Sequence, residues 1–154
     1  MDLQGEHRIP APRETVWTLL NDPEVLKACI PGCQSLEMTG ENQMAATVVA
    51  KVGPVKATFA GEVRLENIVA PESYSIVGEG KGGIAGFASG GADVRLVEDG
   101  TDTVLTYVVK AQVGGKIAQL GGRLVDSSAK KLAAQFFDCF AARCVAGKDA
   151  VTAA

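Results

Sequence analysis

Aromatic and histidine side chains are scarce in this chain of 154 residues. Phe, Tyr and Trp together make up 5% of the sequence, and there is one histidine, His7. His7 has no Cys-x-x-Cys partner, and no Gly-x-Ser-x-Gly segment occurs, so the patterns typical of zinc sites and of Ser-His-Asp hydrolases are missing. Because 47% of the residues are hydrophobic, the interior must be lined mainly by small and branched side chains.

Runs of basic residues and long apolar runs are also missing. The net charge is −3, which argues against a nucleic acid as partner. No apolar run reaches the roughly 18 residues that span a membrane, and the N-terminus lacks the apolar segment of a signal peptide. We therefore predict a cytoplasmic protein with one domain, residues 1–146, and a short flexible tail, residues 147–154. In that compartment we expect thiols and no metal site at the four cysteines, which are Cys29, Cys33, Cys139 and Cys144.

The segment from Lys116 to about Val145 has the apolar period of one long helix. The residues of one face, apolar except for Ser128, recur at steps of three and four: Ile117, Leu120, Gly121, Leu124, Val125, Ser128, Leu132, Phe136 and Phe140. Two short helices are predicted earlier in the chain, one with Pro12 at its first position and one capped by Asp22 with Pro23 in its first turn. A long helix with one broad apolar face requires a broad apolar surface on which to lie.

The segment between the short helices and the long helix alternates with a period of two, which is typical of strands. A first strand, Leu3–Ile9, precedes the short helices, and we place His7 on its outward side. The other predicted strands are Ser35–Thr39, Gln43–Val52, Val55–Val69, Ser73–Gly80, Phe87–Glu98 and Thr103–Val113, and the turns between them contain Gly, Pro or Asp. The pattern predicts an α+β fold in which one curved antiparallel sheet of about seven strands surrounds the long helix.

Small residues dominate the predicted inner face of this sheet. On the strand Val55–Val69 the charged residues Lys56, Glu62 and Arg64 must face water, so the alternate positions face the helix. Many inner positions on this and neighbouring strands are Ala or Gly, which would leave a cavity under the helix; alternatively they let the helix lie closer. The only inner side chains with a polar tip that we predict are Tyr74 and Tyr107 on the sheet and Ser128 on the helix. No pair of carboxylates falls on the inner face, which favours binding over catalysis.

The segment Gly78-Glu79-Gly80-Lys81-Gly82-Gly83 matches the Gly-x-Gly-x-x-Gly pattern of dinucleotide sites. Such a site needs a helix directly after the glycines, to receive the pyrophosphate. The residues that follow here are too rich in glycine for a helix. We therefore predict an inter-strand loop at the rim of the cavity instead.

The chain also resembles a known family. Residues 9–23 resemble the opening of START/Bet v 1-like helix-grip proteins. Four further stretches are similar to the CoxG family of carbon monoxide dehydrogenase subunits: residues 29–33, residues 78–88, residues 114–121 and residues 136–140. The resemblance covers about residues 1–145. It implies a helix-grip fold with a deep apolar cavity, and an accessory role beside molybdenum-type carbon monoxide dehydrogenases and related hydroxylases, including recruitment to the membrane and handling of a quinone.

From the pattern and the resemblance together we predict a non-catalytic protein that binds a lipophilic molecule such as a quinone, with no other cofactor, as a partner of a molybdenum hydroxylase. Peripheral contact with the inner face of the membrane is expected through Ile30 and Pro31. The predicted cavity walls are Trp17, Leu26, Phe59, Tyr74, Phe87, Tyr107, Ile117, Leu120, Gly121, Leu124 and Phe136. The predicted gate loops contain Ile30, Pro31, Gly32, Gly82, Gly83 and Gly86. Two alternatives stay open: an enzyme of the aromatase/cyclase or hydrolase kind, and a pure docking or assembly subunit.

Overall fold

The computed structural model describes the backbone of residues 1–153 and the side chains of residues 1–147. It contains seven strands: β1 (Asp2–Ile9), β2 (Cys33–Gly40), β3 (Gln43–Val52), β4 (Val55–Val69), β5 (Ser73–Lys81), β6 (Phe87–Asp99) and β7 (Asp102–Gly114). It contains three α-helices: α1 (Arg13–Leu20), α2 (Pro23–Cys29) and α3 (Gly122–Ala153). Short 3₁₀ helices occur at Gly83–Ala85 and Ala118–Leu120.

All seven strands form one antiparallel sheet in the order β1-β7-β6-β5-β4-β3-β2. Strands β2 to β7 are a meander, as predicted, because each is joined to the next by a short turn. The first strand completes the sheet by pairing with the last, so that His7 lies opposite Leu105. Between these two strands in the sequence, α1 and α2 are inserted, and the side chain of Asp22 caps α2 by accepting a hydrogen bond from the backbone N–H of Glu24 at 3.0 Å.

The predicted faces of β4 are confirmed. Along this strand, Val55, Ala57, Phe59, Gly61 and Val63 are shielded from solvent more than the residues between them, which are exposed. This alternation follows from the pleat, because successive side chains point to opposite faces of a sheet. The shielded set faces the helices.

The long helix begins six residues later than the sequence predicts. Residues 118–120 form a 3₁₀ turn, and Gly121 has a φ of +94°, a left-handed value that side chains rarely adopt. The apolar period of the sequence continues through this break without interruption. The sequence pattern alone therefore does not reveal that the helix begins at Gly122. The helix extends to Ala153. The sequence predicts a flexible tail at residues 147–154. The side chains after Gly147 lie outside the described residues, so the flexibility of this tail stays a prediction.

The closely packed core lies at one end of the sheet. Ile9, Val16, Leu96, Leu105 and Phe140 are almost completely buried there, together with Cys144. They come from β1, α1, β6, β7 and the second half of α3, so the helices cover only part of the sheet. One curved antiparallel sheet around one long helix, with two short helices after the first strand, is the helix-grip architecture that the sequence predicts.

Candidate functional site

The strand register arranges the inner face of the sheet in rows that differ strongly in side-chain size. Two adjacent rows consist mostly of Gly and Ala: Met44-Val63-Gly78-Gly90-Ala111 and Ala46-Gly61-Gly80-Ala88-Val113. The next rows contain large side chains: Leu65-Ile76-Ala92-Val109-Leu3 and Tyr74-Val94-Tyr107-Gly5. In the two small rows every residue keeps some exposure to solvent, although all face the helix side. We call this region the open end, and the region of large side chains the packed end.

The first half of α3 lies opposite the open end. Leu124, Ser128 and Leu132 on this half are only partly buried. The backbone of α3 comes close to β1, β3, α1 and α2, whereas among the described residues it makes no comparable approach to the central strands β4, β5 and β6. We call the space between the helix and these central strands the cleft. At its edge the structure has a groove of ≈ 450 Å³, lined in part by Pro31, Gly32, Gly53, Leu124, Ser128 and Leu132.

Four of the predicted cavity walls lie together in the packed end. The ring of Trp17 packs edge-on against Tyr74, with 5.4 Å between centroids. Tyr107 and Phe136 border the same cluster of buried side chains. Burial raises the pKa of the Tyr74 phenol well above its ordinary value, so this group is a neutral hydrogen-bonding tip at any physiological pH.

Three further predicted walls lie nearer the edge of the sheet. Phe59 is on the inner face, where a Cβ placed on Gly82 would be 2.5 Å from its ring. Leu124 contacts the β3–β4 turn, since a Cβ on Gly53 would be 2.6 Å from its Cδ2 atom. Leu26 is partly buried on α2.

The remaining predicted walls do not line the inner face. Phe87 precedes the inward residue Ala88 on β6, so it points to the outer face and is 47% exposed. Ile117 is buried, but beneath the β5–β6 connection, where its N–H donates to the carbonyl of Ala85 at 2.9 Å. Leu120 and Gly121 precede α3 instead of lying on its face, because the helix begins at Gly122.

Both predicted gate loops are held by backbone hydrogen bonds. The carbonyl of Gly32 accepts from the N–H of Val49 at 2.9 Å, and Ile30 and Pro31 beside it are partly buried. The N–H of Gly82 donates to Gly86 at 2.8 Å. At Gly86 a Cβ would lie 2.1 Å from the carbonyl oxygen of Gly114, so only glycine fits this crossing of two loops. Gly83 has open space around it. Gating by these loops stays a prediction.

The glycine-rich segment is only in part the predicted inter-strand loop. Gly78 and Gly80 lie within β5, and the connection from this strand to β6 consists of residues 82–86, which include a 3₁₀ turn. No α-helix begins there to receive a pyrophosphate. Within the described residues, no group of three His, Cys, Asp or Glu side chains is arranged to hold a metal ion.

His7 faces inward, which contradicts the outward position predicted from the sequence. Its ring stacks on Phe137 of α3 at 4.1 Å and lies 6.0 Å from the ring of Tyr107. Burial lowers the pKa of His7, and the nearby carboxylate of Asp138 opposes this effect. The signal was present in the sequence: His7 shares the parity of Leu3 and Ile9, both of which are buried.

The prediction that all four cysteines are thiols is also wrong for two of them. Cys29 at the end of α2 and Cys139 on α3 form a disulfide, with 5.3 Å between their Cα atoms. The two residues are 110 positions apart in the sequence, so only the packing of α2 against α3 brings them together. Cys33 and Cys144 are free, and burial raises the pKa of Cys144 to about 12.

Among the described residues, none of the helices is long and apolar enough to cross a membrane. No curated protein matches the sequence significantly.

Solved structures with the same fold cover nearly the whole chain. A conserved protein of Geobacillus kaustophilus is 32% identical, with a TM-score of 0.89 and coverage of 94% of this chain and 95% of the other. A START superfamily protein of Mycobacterium smegmatis is 13% identical, with a TM-score of 0.72 and coverage of 93% and 96%. The Zhui aromatase/cyclase of Streptomyces sp. R1128 is 13% identical, with a TM-score of 0.64 and coverage of 94% and 93%. The last two likenesses show the fold alone.

One family model, that of the carbon monoxide dehydrogenase subunit CoxG, matches residues 5–145. The match extends from β1 to the second half of α3 and so includes both ends of the sheet. The chain belongs to this CoxG family of carbon monoxide dehydrogenase subunits.

Proposed function

We propose that this protein binds a lipophilic small molecule, a quinone or a compound of similar shape, in the cleft between the open end of the sheet and the first half of α3. It does so without catalysing a reaction, as an accessory protein of a molybdenum-type carbon monoxide dehydrogenase or hydroxylase. It also helps to bring that enzyme to the membrane, at the inner face. The family and the fold together indicate a ligand-binding accessory protein; the ligand, the partner and the membrane step are the proposed part.

One observation supports this proposal more than any other. Inner-face residues such as Gly61, Gly80 and Ala88 are apolar and face the helix, yet they keep contact with solvent. Protein interiors normally close such gaps, because an unfilled apolar space loses packing contacts. A lipophilic ligand would restore those contacts and gain about 25 cal/mol for each Å² of apolar surface removed from water.

The polar groups of the cleft suit an elongated molecule with a carbonyl at its deep end. Tyr74 and Tyr107 lie in the packed end, one row beyond the row of Leu65 that borders the open end, and burial raises the pKa values of both phenols. A neutral phenol can donate a hydrogen bond to a quinone carbonyl. The small rows would accommodate the apolar remainder of the ligand.

The proposal is tested by native mass spectrometry of protein purified without detergent, followed by extraction of the unfolded protein. We expect a stoichiometric lipophilic compound to be released, or an added short-chain naphthoquinone to be bound by empty protein. Gly61→Leu should abolish binding, because Gly61 is on the inner face. Its matched control is Ala60→Leu, which places the same side chain on the outer face of the same strand. Equal binding by both variants would show that the ligand is not in the cleft.

His7 and Tyr107 are the specific observation in favour of an enzyme instead. Their rings lie 6.0 Å apart on the inner face, where an imidazole and a phenol could act on a bound substrate. An enzyme of the aromatase/cyclase or hydrolase kind would alter the mass of a bound ligand, and His7→Gln would stop that change. Recovery of an unaltered ligand from both proteins favours the carrier.

A further inference from the structure

Three connections of the chain meet at the edge of the sheet where the cleft opens. They are the β3–β4 turn, the β5–β6 connection and the β7–α3 connection. In an antiparallel sheet of consecutive strands, every second connection lies at the same end of the strands, so these three lie together. Ile117 donates a backbone hydrogen bond to Ala85, which joins the second connection to the third. Gly53 lies against Leu124, which joins the first to the start of α3. We call residues 51–57, 80–88 and 111–125 together the mouth edge.

The mouth edge carries charge of one sign. It contains five cationic residues and no Asp or Glu, in a chain whose net charge is −3. All five are exposed: Lys51, Lys56, Lys81, Lys116 and Arg123. None of them takes part in the four ion pairs found in the described part of the chain. At the opposite end of the strands lie Glu41, Glu72, Asp99 and Asp102, of which Asp99 and Asp102 pair with Arg8. The excess of acidic residues in the chain therefore lies outside the mouth edge.

One pair of these cationic residues destabilises the fold. Lys51 and Lys56 are direct cross-strand partners in the β3–β4 hairpin. Like charges directly opposite each other destabilise a sheet. An anionic surface outside the molecule would attract both lysines and so offset the repulsion between them.

An apolar side chain projects from the middle of the cationic edge. Ile84 is 92% exposed, at the centre of the 3₁₀ turn between β5 and β6, and Phe87 beside it is 47% exposed. The turn is fixed by the hydrogen bond from Gly82 to Gly86 and by the contact of Gly86 with Gly114. Ile84 is thus presented to the outside by a backbone that is held in place. Ile30 and Pro31, the predicted membrane contacts, are partly buried instead.

We propose that the mouth edge docks on an anionic lipid bilayer, with Ile84 and Phe87 at the boundary between headgroups and acyl chains and the five cations over the headgroups. This deepens the proposed function, because it places the opening of the cleft against the phase in which a quinone dissolves. Lys51, Gly53 and Leu124 belong both to the mouth edge and to the lining of the groove. The anionic remainder of the molecule would be repelled, which fixes the orientation.

A bilayer fits this edge better than an acidic protein does. The centre of a protein interface is a broad, closely packed apolar patch. On the described mouth edge the large apolar side chains with high exposure are only Ile84 and Phe87. A bilayer can accept isolated apolar side chains at its interface, and each nearby cation adds about 1 kcal/mol of attraction to an anionic surface.

The test is flotation of the full chain with vesicles, scored as the fraction bound. We expect binding to vesicles of phosphatidylglycerol mixed with phosphatidylcholine, weakening as salt is added, and no binding to phosphatidylcholine alone. Lys81→Gln and Lys116→Gln should each lower the partition coefficient about fivefold, and Ile84→Asp should lower it by at least about tenfold. The matched controls, Arg95→Gln and Val97→Asp, change exposed residues of β6 outside the mouth edge and should leave binding unchanged.

A short-chain naphthoquinone is titrated into the same proteins, so that docking and ligand binding are scored separately. Quinone binding retained in Ile84→Asp while flotation is lost supports the proposal. Wild-type protein that binds the quinone but floats with neither vesicle overturns the docking surface and leaves the carrier function intact. Flotation without quinone binding supports the docking surface and argues against the carrier. Binding to immobilised polyglutamate but not to anionic vesicles overturns the proposal in favour of an acidic protein.

Discussion

The two halves of α3 have very different surroundings. In the half that follows Gly122, apolar residues such as Leu124 and Leu132 are only partly buried, whereas Phe140 and Cys144 in the second half have an exposure of 0%. The sheet beneath them changes in the same direction, from rows of Gly and Ala to rows that contain Tyr74, Leu96 and Leu105. One continuous helix therefore packs against the buried core at the packed end and faces rows of Gly and Ala at the open end. A small domain can leave room for a ligand when its stability is concentrated elsewhere.

We expect the largest difference in the free energy of unfolding when one aromatic ring is removed from the packed end and one from the open end. Phe140→Ala should lower the free energy of unfolding by about 3–5 kcal/mol, because it leaves a cavity among buried side chains. Phe59→Ala should cost about 1–2 kcal/mol, since Phe59 is only partly buried. Urea denaturation of both variants measures the difference. Equal losses would show that the two ends are packed alike.

The disulfide provides the next comparison, because Cys29 and Cys139 join α2 to α3 at the packed end. Cys139→Ser should lower the free energy of unfolding by about 2–4 kcal/mol, the range typical when a long loop is no longer closed. A reducing agent should destabilise the wild type by a similar amount and leave the variant unchanged. Cys33→Ser is the control, since Cys33 is free. A wild type that is indifferent to reduction would mean that the bond contributes nothing to stability.

Much of this organisation could be predicted from the sequence, and the exceptions have physical causes. Alternation on β4 indicated its inner face, since charged residues alternate with apolar ones over the whole strand. The same rule would have turned His7 inward, had its parity with Leu3 and Ile9 been weighed above its polarity. The start of α3 was misplaced because Ile117 and Leu120 continue the helical period through a break at Gly121. The Cys29–Cys139 pair depends on tertiary packing, which periodicity does not reveal.

The open end and the packed end should differ in how well they tolerate a larger side chain in place of an inner-face glycine. A Cβ on Gly5 would lie 2.5 Å from the hydroxyl oxygen of Tyr107, whereas a Cβ on Gly80 would meet only the carbonyl oxygen of Ala60, at 4.0 Å. We expect Gly5→Val to lower the free energy of unfolding by about 1–3 kcal/mol, because the site has no room. Gly80→Val should leave it unchanged or raise it by a few tenths of a kcal/mol, since valine suits a strand better than glycine.

Thermal and urea unfolding of the two glycine variants provide the measurement. A loss in Gly80→Val as large as that in Gly5→Val would mean that the open end is closed in solution. A Gly80→Val protein of unchanged stability but with reduced uptake of a short-chain naphthoquinone would place the ligand beside Gly80.

The smallest expected effect is a dependence of stability on pH that arises at the packed end. Burial lowers the pKa of His7 in the folded protein, although Asp138 opposes it. The unfolded chain then binds a proton more readily, at about pH 6.5, so the free energy of unfolding should fall as the pH drops from there to the folded-state pKa. His7→Phe keeps a ring against Phe137 and should remove this contribution. Denaturation of both proteins across that range is the measurement. If the wild type instead gained stability on acidification relative to His7→Phe, Asp138 would dominate the site and His7 would be held as a cation, which would make the packed end less apolar than its burial indicates.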